Sequence, residues 1–530
     1  MTLRPDFSTT LHELSGRRDH IPGFDTKPSY VLTRYSFLRA LGLVYCVAFL
    51  GLVLQLRPLL GHNGLLPVQL FLQRVEASLG NGLASYLSVP TLLWIDAGDG
   101  FMMALAWVGL ALSVLLVCGY ANALQMLALW VLYSSFVHTG QLFYSYGWET
   151  LLLETGFLAV FLCPLFKDGW SLQDRSTDRW ILLLLRWVLF RVMFGAGLIK
   201  LRGDPCWLDL SCLLYHYQTQ PIPNPLSWYL HQAPEIFHKG GVVFNHVVEL
   251  IAPWFLFGPR RLRHVGALLI ITFQMLLIVS GNLSWLNYIT LALCIPCLSD
   301  GLLLRIAPTS LRQRPLRSVP ASRARRITTL VLLALIAVLS IGPIGNMWSS
   351  RQRMNTSFDR LNLVNSYGAF GSVGRQRREI IILGTTDPEL DAKSEWRAYE
   401  FKCKPGDPNR RPCVVSPYHY RLDWQIWFAA MSDYSRQPWF VHLVYKLLQA
   451  DVDVLSLLDS DPFDGVRPAY IRADLYEYEF TDMAAGGWWK RRRLGAYLPA
   501  VSLDNPALIN IIGDFGWPLY ETGDEPPSPL

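Results

Sequence analysis

Nine windows of mostly apolar residues occupy the first two thirds of the chain, over 36–56, 100–118, 121–138, 148–166, 180–201, 241–258, 265–281, 284–298 and 327–347. Each approaches the roughly 20 residues a helix needs to cross about 30 Å of hydrocarbon. A chain of 530 residues that is 52% hydrophobic and only 17% charged lies outside the composition of ordinary soluble domains. The pattern predicts a polytopic α-helical membrane protein of about nine spans with a C-terminal α+β extramembrane domain. On this reading residues 1–34 form a cytosolic tail and 35–347 the transmembrane domain, with structured outside loops at 57–99 and 202–240. Residues 348–530 form a lumenal or periplasmic domain. Residues 1–34 show no apolar core followed by a small-residue cleavage site, so the first span is expected to serve as the insertion signal.

Charge gives the expected orientation, because short cytoplasmic loops accumulate Lys and Arg. With the N-terminus inside, the inside loops carry Lys167, Arg175 and Arg179; then Arg260, Arg261 and Arg263; then a basic run from Arg305 to Arg326. The outside connections hold only Arg57, Arg74, Arg202 and Lys239. A net charge of +6 concentrated in this way is topology information and lipid attraction, not a nucleic-acid footprint, and the bilayer is the expected partner. An odd span count then places everything after Met347 outside.

Cysteine use agrees with that orientation. Of nine cysteines, Cys46, Cys118, Cys163, Cys294 and Cys297 lie in or beside spans. Cys206, Cys212, Cys403 and Cys413 fall outside, where an oxidising compartment would allow two local disulfides. The spacing Cys294-Ile295-Pro296-Cys297 matches a redox motif but lacks its βαβ context, so a structural role is expected. Cys206, Cys212 and His216 do not complete a zinc site, and no metal or cofactor is expected.

In the outside domain, 378–385, 396–402 and 469–480 read as strands, and 422–431 and 438–450 as helices. No nucleophile elbow or phosphate-binding loop occurs; the glycine-rich 368–374 reads as a tight loop. Trp424, Trp427, Trp439, Trp488 and Trp489, with Arg491 in a run of four cations, are residue types that dominate binding hot spots. They are the candidate protein-contact residues, together with the proline-rich run 221–225. Asn355-Thr356-Ser357 is a glycosylation sequon, usable in a eukaryotic host.

Ionisable residues at membrane depth are costly and usually paired. Glu154, Arg186, Arg191, Lys200, His246 and Glu249 are the candidates, and Asn245, His246 and Glu249 share one helical face by spacing.

Three stretches, 186–226, LNLVNSYGAF at 361–370 and YEFKCKPGDPNRRPCVVSPYHYRLDW at 399–424, closely resemble the lipase maturation factor family, over about 35–520. The resemblance implies a multi-pass membrane protein of the endoplasmic reticulum, or of the inner membrane in a bacterial host. It implies a chaperone that holds secreted lipases as clients and needs no cofactor. A weaker resemblance links Gly197-Leu198-Ile199-Lys200-Leu201, with Asp204 and Trp207, to the membrane domain of the vitamin K-dependent γ-carboxylase, where a lysine of such a segment is the catalytic base. It implies an alternative, an intramembrane enzyme acting on a peptide or lipid through Lys200, His246 and Glu249.

Overall fold

The computed structural model describes residues 30–165, 178–307, 309, 322–484 and 486–519. Most of the N-terminal tail and the basic residues Lys167, Arg175, Arg312, Arg314 and Arg317 lie outside the described residues.

The helices begin with α1 (Val31–Leu60), followed in the first loop by α2 (Val68–Leu79) and α3 (Leu83–Ser88). Next come α4 (Asp99–Cys118), α5 (Ala123–Thr139), α6 (Gly147–Val160) and α7 (Arg179–Gly203). The second long loop holds α8 (Leu213–Thr219) and α9 (Pro225–His231), the latter opened by a capping box in which Asn224 and Ser227 satisfy each other's backbone N–H. Then follow α10 (Glu235–His246), a π-turn at Val247–Ile251, α11 (Ala252–Phe255), α12 (Arg260–Ser280), α13 (Leu286–Cys294), α14 (Asp300–Ile306), α15 (Arg323–Leu339) and α16 (Ile341–Trp348).

By length and composition five helices can cross a membrane: α1, α4, α7, α12 and the α15–α16 pair. A sixth is possible if the segment 286–306, bent by 118° between α13 and α14, counts as one span. The other expected windows hold shorter or interrupted helices, so the described residues support five to six long spans where nine windows suggested nine. The interruption at 247–251 has a chemical cause. Pro253 has no N–H for the carbonyl four residues back, that of Glu249, and its ring crowds that carbonyl. The break at 295–299 contains Pro296, whose carbonyl accepts two hydrogen bonds from Arg186 at 3.1 and 2.9 Å. Cys294 and Cys297, at the same break, are buried free thiols.

The C-terminal region starts with a two-stranded ribbon, β1 (Thr356–Ser357) and β2 (Asn365–Ser366). It continues with β3 (Arg377–Thr385), β4 (Arg397–Ala398), α17 (Arg421–Ala429), α18 (Pro438–Leu448), α19 (Val452–Leu455), β5 (Tyr470–Phe480), β6 (Trp489–Val501) and α20 (Pro506–Asp514). The main sheet is antiparallel in the order β4-β3-β5-β6. Both faces of β3 are covered, which is why its centre is a continuous apolar run rather than an alternation. Ile380 and Ile382 join the core that contains α17 and α18, while Ile381 joins Tyr478, Phe480 and Trp489 against Tyr217 and Trp228 of the second loop. The sheet thus lies between its own helices and the loop that leaves α7. β3, β5, α17 and α18 lie within two residues of the expected ends; only two residues of 396–402 are strand, and β6 begins within the 488–493 cluster, where no strand is expected from sequence.

Candidate functional site

The C-terminal region is fastened to the helical bundle by buried charges. Arg191 of α7 pairs with Glu154 of α6 at about 1% exposure, and Asn365 and Tyr367 complete the shell of that carboxylate. Arg421 of α17 pairs with Glu149 of α6 at 2.8 Å, and Glu149 also accepts from the Tyr133 hydroxyl of α5. Gln55 of α1 donates to the carbonyl of His419 at 2.8 Å and accepts the Arg421 N–H at 3.0 Å. Arg377 donates to the carbonyls of Gln218, Gln220 and Pro221 and pairs with Glu379, which Lys404 also approaches at 3.1 Å. Removing one member of a buried pair costs about 3–5 kcal/mol, so these contacts hold the C-terminal region against the bundle.

Beneath the docked region lies a cavity of about 1540 Å³, lined by α7, α10, α12, α13, the second loop, residues 368–374 and α17. On its wall Lys200 reaches Glu249 at 2.5 Å and the Asn245 side-chain oxygen at 3.3 Å, while the Asn245 amide donates to the other Glu249 oxygen at 3.0 Å. The Lys200 ammonium stands 5.0 Å from the centre of the Trp207 ring. Three local features build this cluster. The π-turn carries Glu249; the i, i+4 spacing puts Asn245 beside it; and Gly197 admits the close approach, since a Cβ there would meet Leu250 and Glu249 side-chain atoms at 2.7 to 3.0 Å. All three polar side chains are buried, and the pair they form is electrically balanced.

His216 of α8 also lines the cavity, edge-on to Phe370 with ring centres 4.8 Å apart. Burial, and secondarily the Lys200 charge, push its imidazole down to about 4, so it is neutral at physiological pH. Residues 368–374 form the cavity's edge, and the Trp207 indole donates to the Phe370 carbonyl at 2.9 Å. Cys206 is disulfide-bonded to Cys212, and Cys403 to Cys413. The first bridge takes both thiols away from His216 as ligands, and among the described residues no group of three or more His, Cys, Asp or Glu could hold a metal.

The structure brings Lys200 and Glu249 together but directs His246 elsewhere: its Nε2 meets the Trp207 carbonyl at 2.9 Å. The i, i+3 spacing of His246 and Glu249 misleads because the π-turn rotates Glu249 and the residues after it relative to the turn before. Sequence reading missed Asn365 and Tyr367 as partners of Glu154. It also missed Gln274 and Asn287, which line the cavity and bond to each other at 2.7 Å. The available signal for the latter pair was an amide inside each of two apolar windows.

The tryptophans divide. Trp424, Trp439 and Trp489 are buried. Trp424 packs 5.1 Å from Trp148 of the bundle, Trp439 6.0 Å from Phe143, and Trp489 stacks at 4.2 Å on Phe480. They are packing residues that the interface with the bundle and the second loop covers, so none offers an outer contact surface, and Trp424 also lines the cavity. Trp427 is half-buried, its indole donating to the Thr219 carbonyl at 3.2 Å. Trp488 is half-buried beside Trp228 and Tyr229, at 5.5 and 6.5 Å. Arg491 is exposed on β6 and donates to the Tyr478 hydroxyl at 3.1 Å. Its neighbours Lys490, Arg492 and Arg493 pair across the sheet with Glu479, Glu477 and Asp474, so the run is a charged edge strand. Asn355 is exposed at the ribbon, and Asn282 is buried.

Residues 32–305 match the Lipase maturation factor transmembrane domain and residues 363–499 the Lipase maturation factor C-terminal domain. The chain is 45% identical to human Lipase maturation factor 1 over 93% of its own length and 91% of the relative's. It is 44% identical to the mouse protein of that name, over 94% and 91%. Against Lipase maturation factor 2 of Xenopus laevis it is 32% identical over 94% of this chain and 85% of the relative. No solved structure matches it.

Proposed function

Since the chain belongs to the lipase maturation factor family, we propose that it is a membrane-anchored maturation factor that assists secreted lipases to fold and assemble in the endoplasmic reticulum. The transmembrane part, about 35–347, anchors the platform, and the region from 348 onward faces the lumen, where the two disulfides are stable and Asn355 can carry a glycan. The similarity over more than 90% of both chains carries this reading. Its mechanism is holding: an exposed surface binds partly folded lipase and delays aggregation until assembly.

The client surface we favour is where the proline-rich run and the sheet meet. Tyr229 is 52% exposed and Leu226, on the same short helix, 48%. The Tyr229 ring lies 6.5 Å from that of the half-buried Trp488, and Arg491, further along on β6, is exposed. Aromatic and arginine side chains of this kind supply contact energy in protein interfaces. Trp427 is a second candidate.

One observation favours the alternative, an intramembrane enzyme: Lys200 and Glu249 face a large cavity rather than packed protein. Both readings meet one experiment. Cells lacking their own maturation factor would express a dimeric secreted lipase with the intact chain, a Tyr229→Ala/Trp488→Ala variant, or Lys200→Met. The holding reading expects secreted lipase activity from the intact chain and from any Lys200→Met protein that folds, and a marked loss with the aromatic double variant at normal abundance. Full activity from the double variant with a well-expressed, inert Lys200→Met would overturn it in favour of the enzyme.

A further inference from the structure

The cavity is much larger than a place to bury one ion pair. Its about 1540 Å³ exceeds the roughly 300–1,000 Å³ of sites for drug-sized molecules. Its lining changes along its extent. One wall is made of Phe244 on α10, Phe273, Leu276 and Leu277 on α12, and Leu286 on α13. The α12 part of this wall belongs to the last two turns of a helix long and apolar enough to cross a membrane. Leu276 and Val279 line the cavity while remaining 50% and 42% exposed, so the wall is not filled by protein. In the same region Asn287 is 1% exposed, and its Oδ1 has no hydrogen-bond partner. Arg375 and Arg378 line the same cavity and are exposed, and among the described residues neither has a carboxylate within ion-pair distance, Arg375 standing 5.1 Å from the centre of the Tyr215 ring. Lys200, by contrast, is already neutralised by Glu249.

Two exposed guanidinium groups and an unfilled apolar wall on one cavity match the head and the chain of a charged amphiphile. We propose that the cavity binds an anionic acyl lipid, its chain along α10, α12 and α13 and its head at Arg375 and Arg378. A client peptide fits less well. Its backbone N–H and C=O groups would be buried against a wall that supplies few partners, at a cost for each unmatched group, whereas an acyl chain has none to satisfy. The anionic head could be the carboxylate of a free fatty acid or the phosphate of a phospholipid, and the probes below separate these sources.

The full-length protein in nanodiscs would be photolabelled with diazirine palmitate, with diazirine-acyl phosphatidylserine, or with neutral diazirine diacylglycerol, and the labelled residues mapped by mass spectrometry. The proposal expects label from one of the anionic probes at Phe244, Leu277 or Leu286. Arg375→Gln/Arg378→Gln, both surface positions, should lower that label about tenfold and leave the neutral probe unchanged. Leu277→Trp should lower it by filling the wall. Label confined to the outward-facing Leu268 and Met275, untouched by either variant, would mean boundary lipid only and would overturn the proposal. Equal loss of the anionic and neutral probes in the arginine variant would overturn the anionic head.

Discussion

Asn365 delivers two donors to a single carboxylate: its backbone N–H and its side-chain amide each reach Glu154 at 3.1 Å. Glu154 belongs to α6 and Asn365 to the β1–β2 ribbon, so one residue of the C-terminal region completes a buried ion pair of the bundle. Arg191 closes the circuit by donating to the Asn365 carbonyl.

Arg191→Met is therefore expected to destabilise the protein by about 3–5 kcal/mol, because it strands a buried carboxylate. Asn365→Ala removes hydrogen bonds but leaves the ion pair, and should cost about 1–3 kcal/mol. Thermal unfolding of the detergent-solubilised protein checks the order of the two. Equal and negligible shifts would show that the ribbon does not stabilise the bundle.

Acidification should weaken the C-terminal region and the second loop beneath it, and the sign follows from the buried imidazoles. His216 is pushed down to about 4 and His442 to about 3, in each case mainly by burial. A depressed folded value means a contribution fully present above the free imidazole value of about 6.5 and lost as pH falls through the folded one, because the unfolded chain binds the proton first. Asp423 opposes this in part. Burial raises it to about 6, so its contribution is present below the free carboxyl value and is lost as pH rises through about 6. With His419, which burial also pushes well below the free value, three histidines outweigh one aspartate between roughly pH 6.5 and 4. Unfolding temperatures across that range should fall with pH, and His216→Phe should flatten the slope if it folds; an unchanged slope in that variant would remove His216 from the account.

What the sequence made legible follows from physical range. The apolar windows locate helices because burial in lipid or protein needs only local composition, but composition cannot report a chain break: α13 stops at 294 and α10 gives way to a π-turn because of Pro296 and Pro253. The pairing of Lys200 with Glu249 was within reach of sequence, since each had to find an opposite charge at depth. Asn245 beside Glu249 was legible too, by its i, i+4 spacing, whereas the displacement of His246 depended on the π-turn. The tryptophans misled because hot-spot chemistry and core chemistry use the same side chain; only packing tells Trp439, at 2% exposure, from Trp488. Strand β6 was hidden by Lys490 to Arg493, whose charges suit an exposed edge once acids on β5 stand opposite.

Asn282-Leu283-Ser284 also matches the glycosylation sequon, and it and Asn355-Thr356-Ser357 should differ in use. Asn355 is exposed on the ribbon. Asn282 is 1% exposed, donates to the Cys413 carbonyl at 3.0 Å and accepts from the Val415 and Ser416 N–H groups at 2.9 and 3.1 Å. In a eukaryotic host a glycosidase-sensitive mobility shift should disappear with Asn355→Gln and persist with Asn282→Gln. A shift that tracks Asn282 would contradict this arrangement.

The bridge between Cys403 and Cys413 presents its own backbone to a buried acid: Asp423 accepts the N–H groups of Cys403 and Lys404 at 2.6 and 2.9 Å. Opening the bridge releases a ten-residue connection and lengthens the ensemble from which those N–H groups must be recovered, a loss of about 2–4 kcal/mol. Asp423→Asn keeps an acceptor for the two N–H groups but points an amide where the second carboxylate oxygen has no partner, so it should cost about 1–2 kcal/mol. That cost is offset in part because the lost charge is one that burial disfavours, and it should be smaller once the bridge is gone. A double-mutant cycle of Cys403→Ser/Cys413→Ser with Asp423→Asn measures that dependence. A coupling near zero would mean that the bridge and the carboxylate act on separate parts of the fold, and that the 403–413 loop keeps its shape without the disulfide.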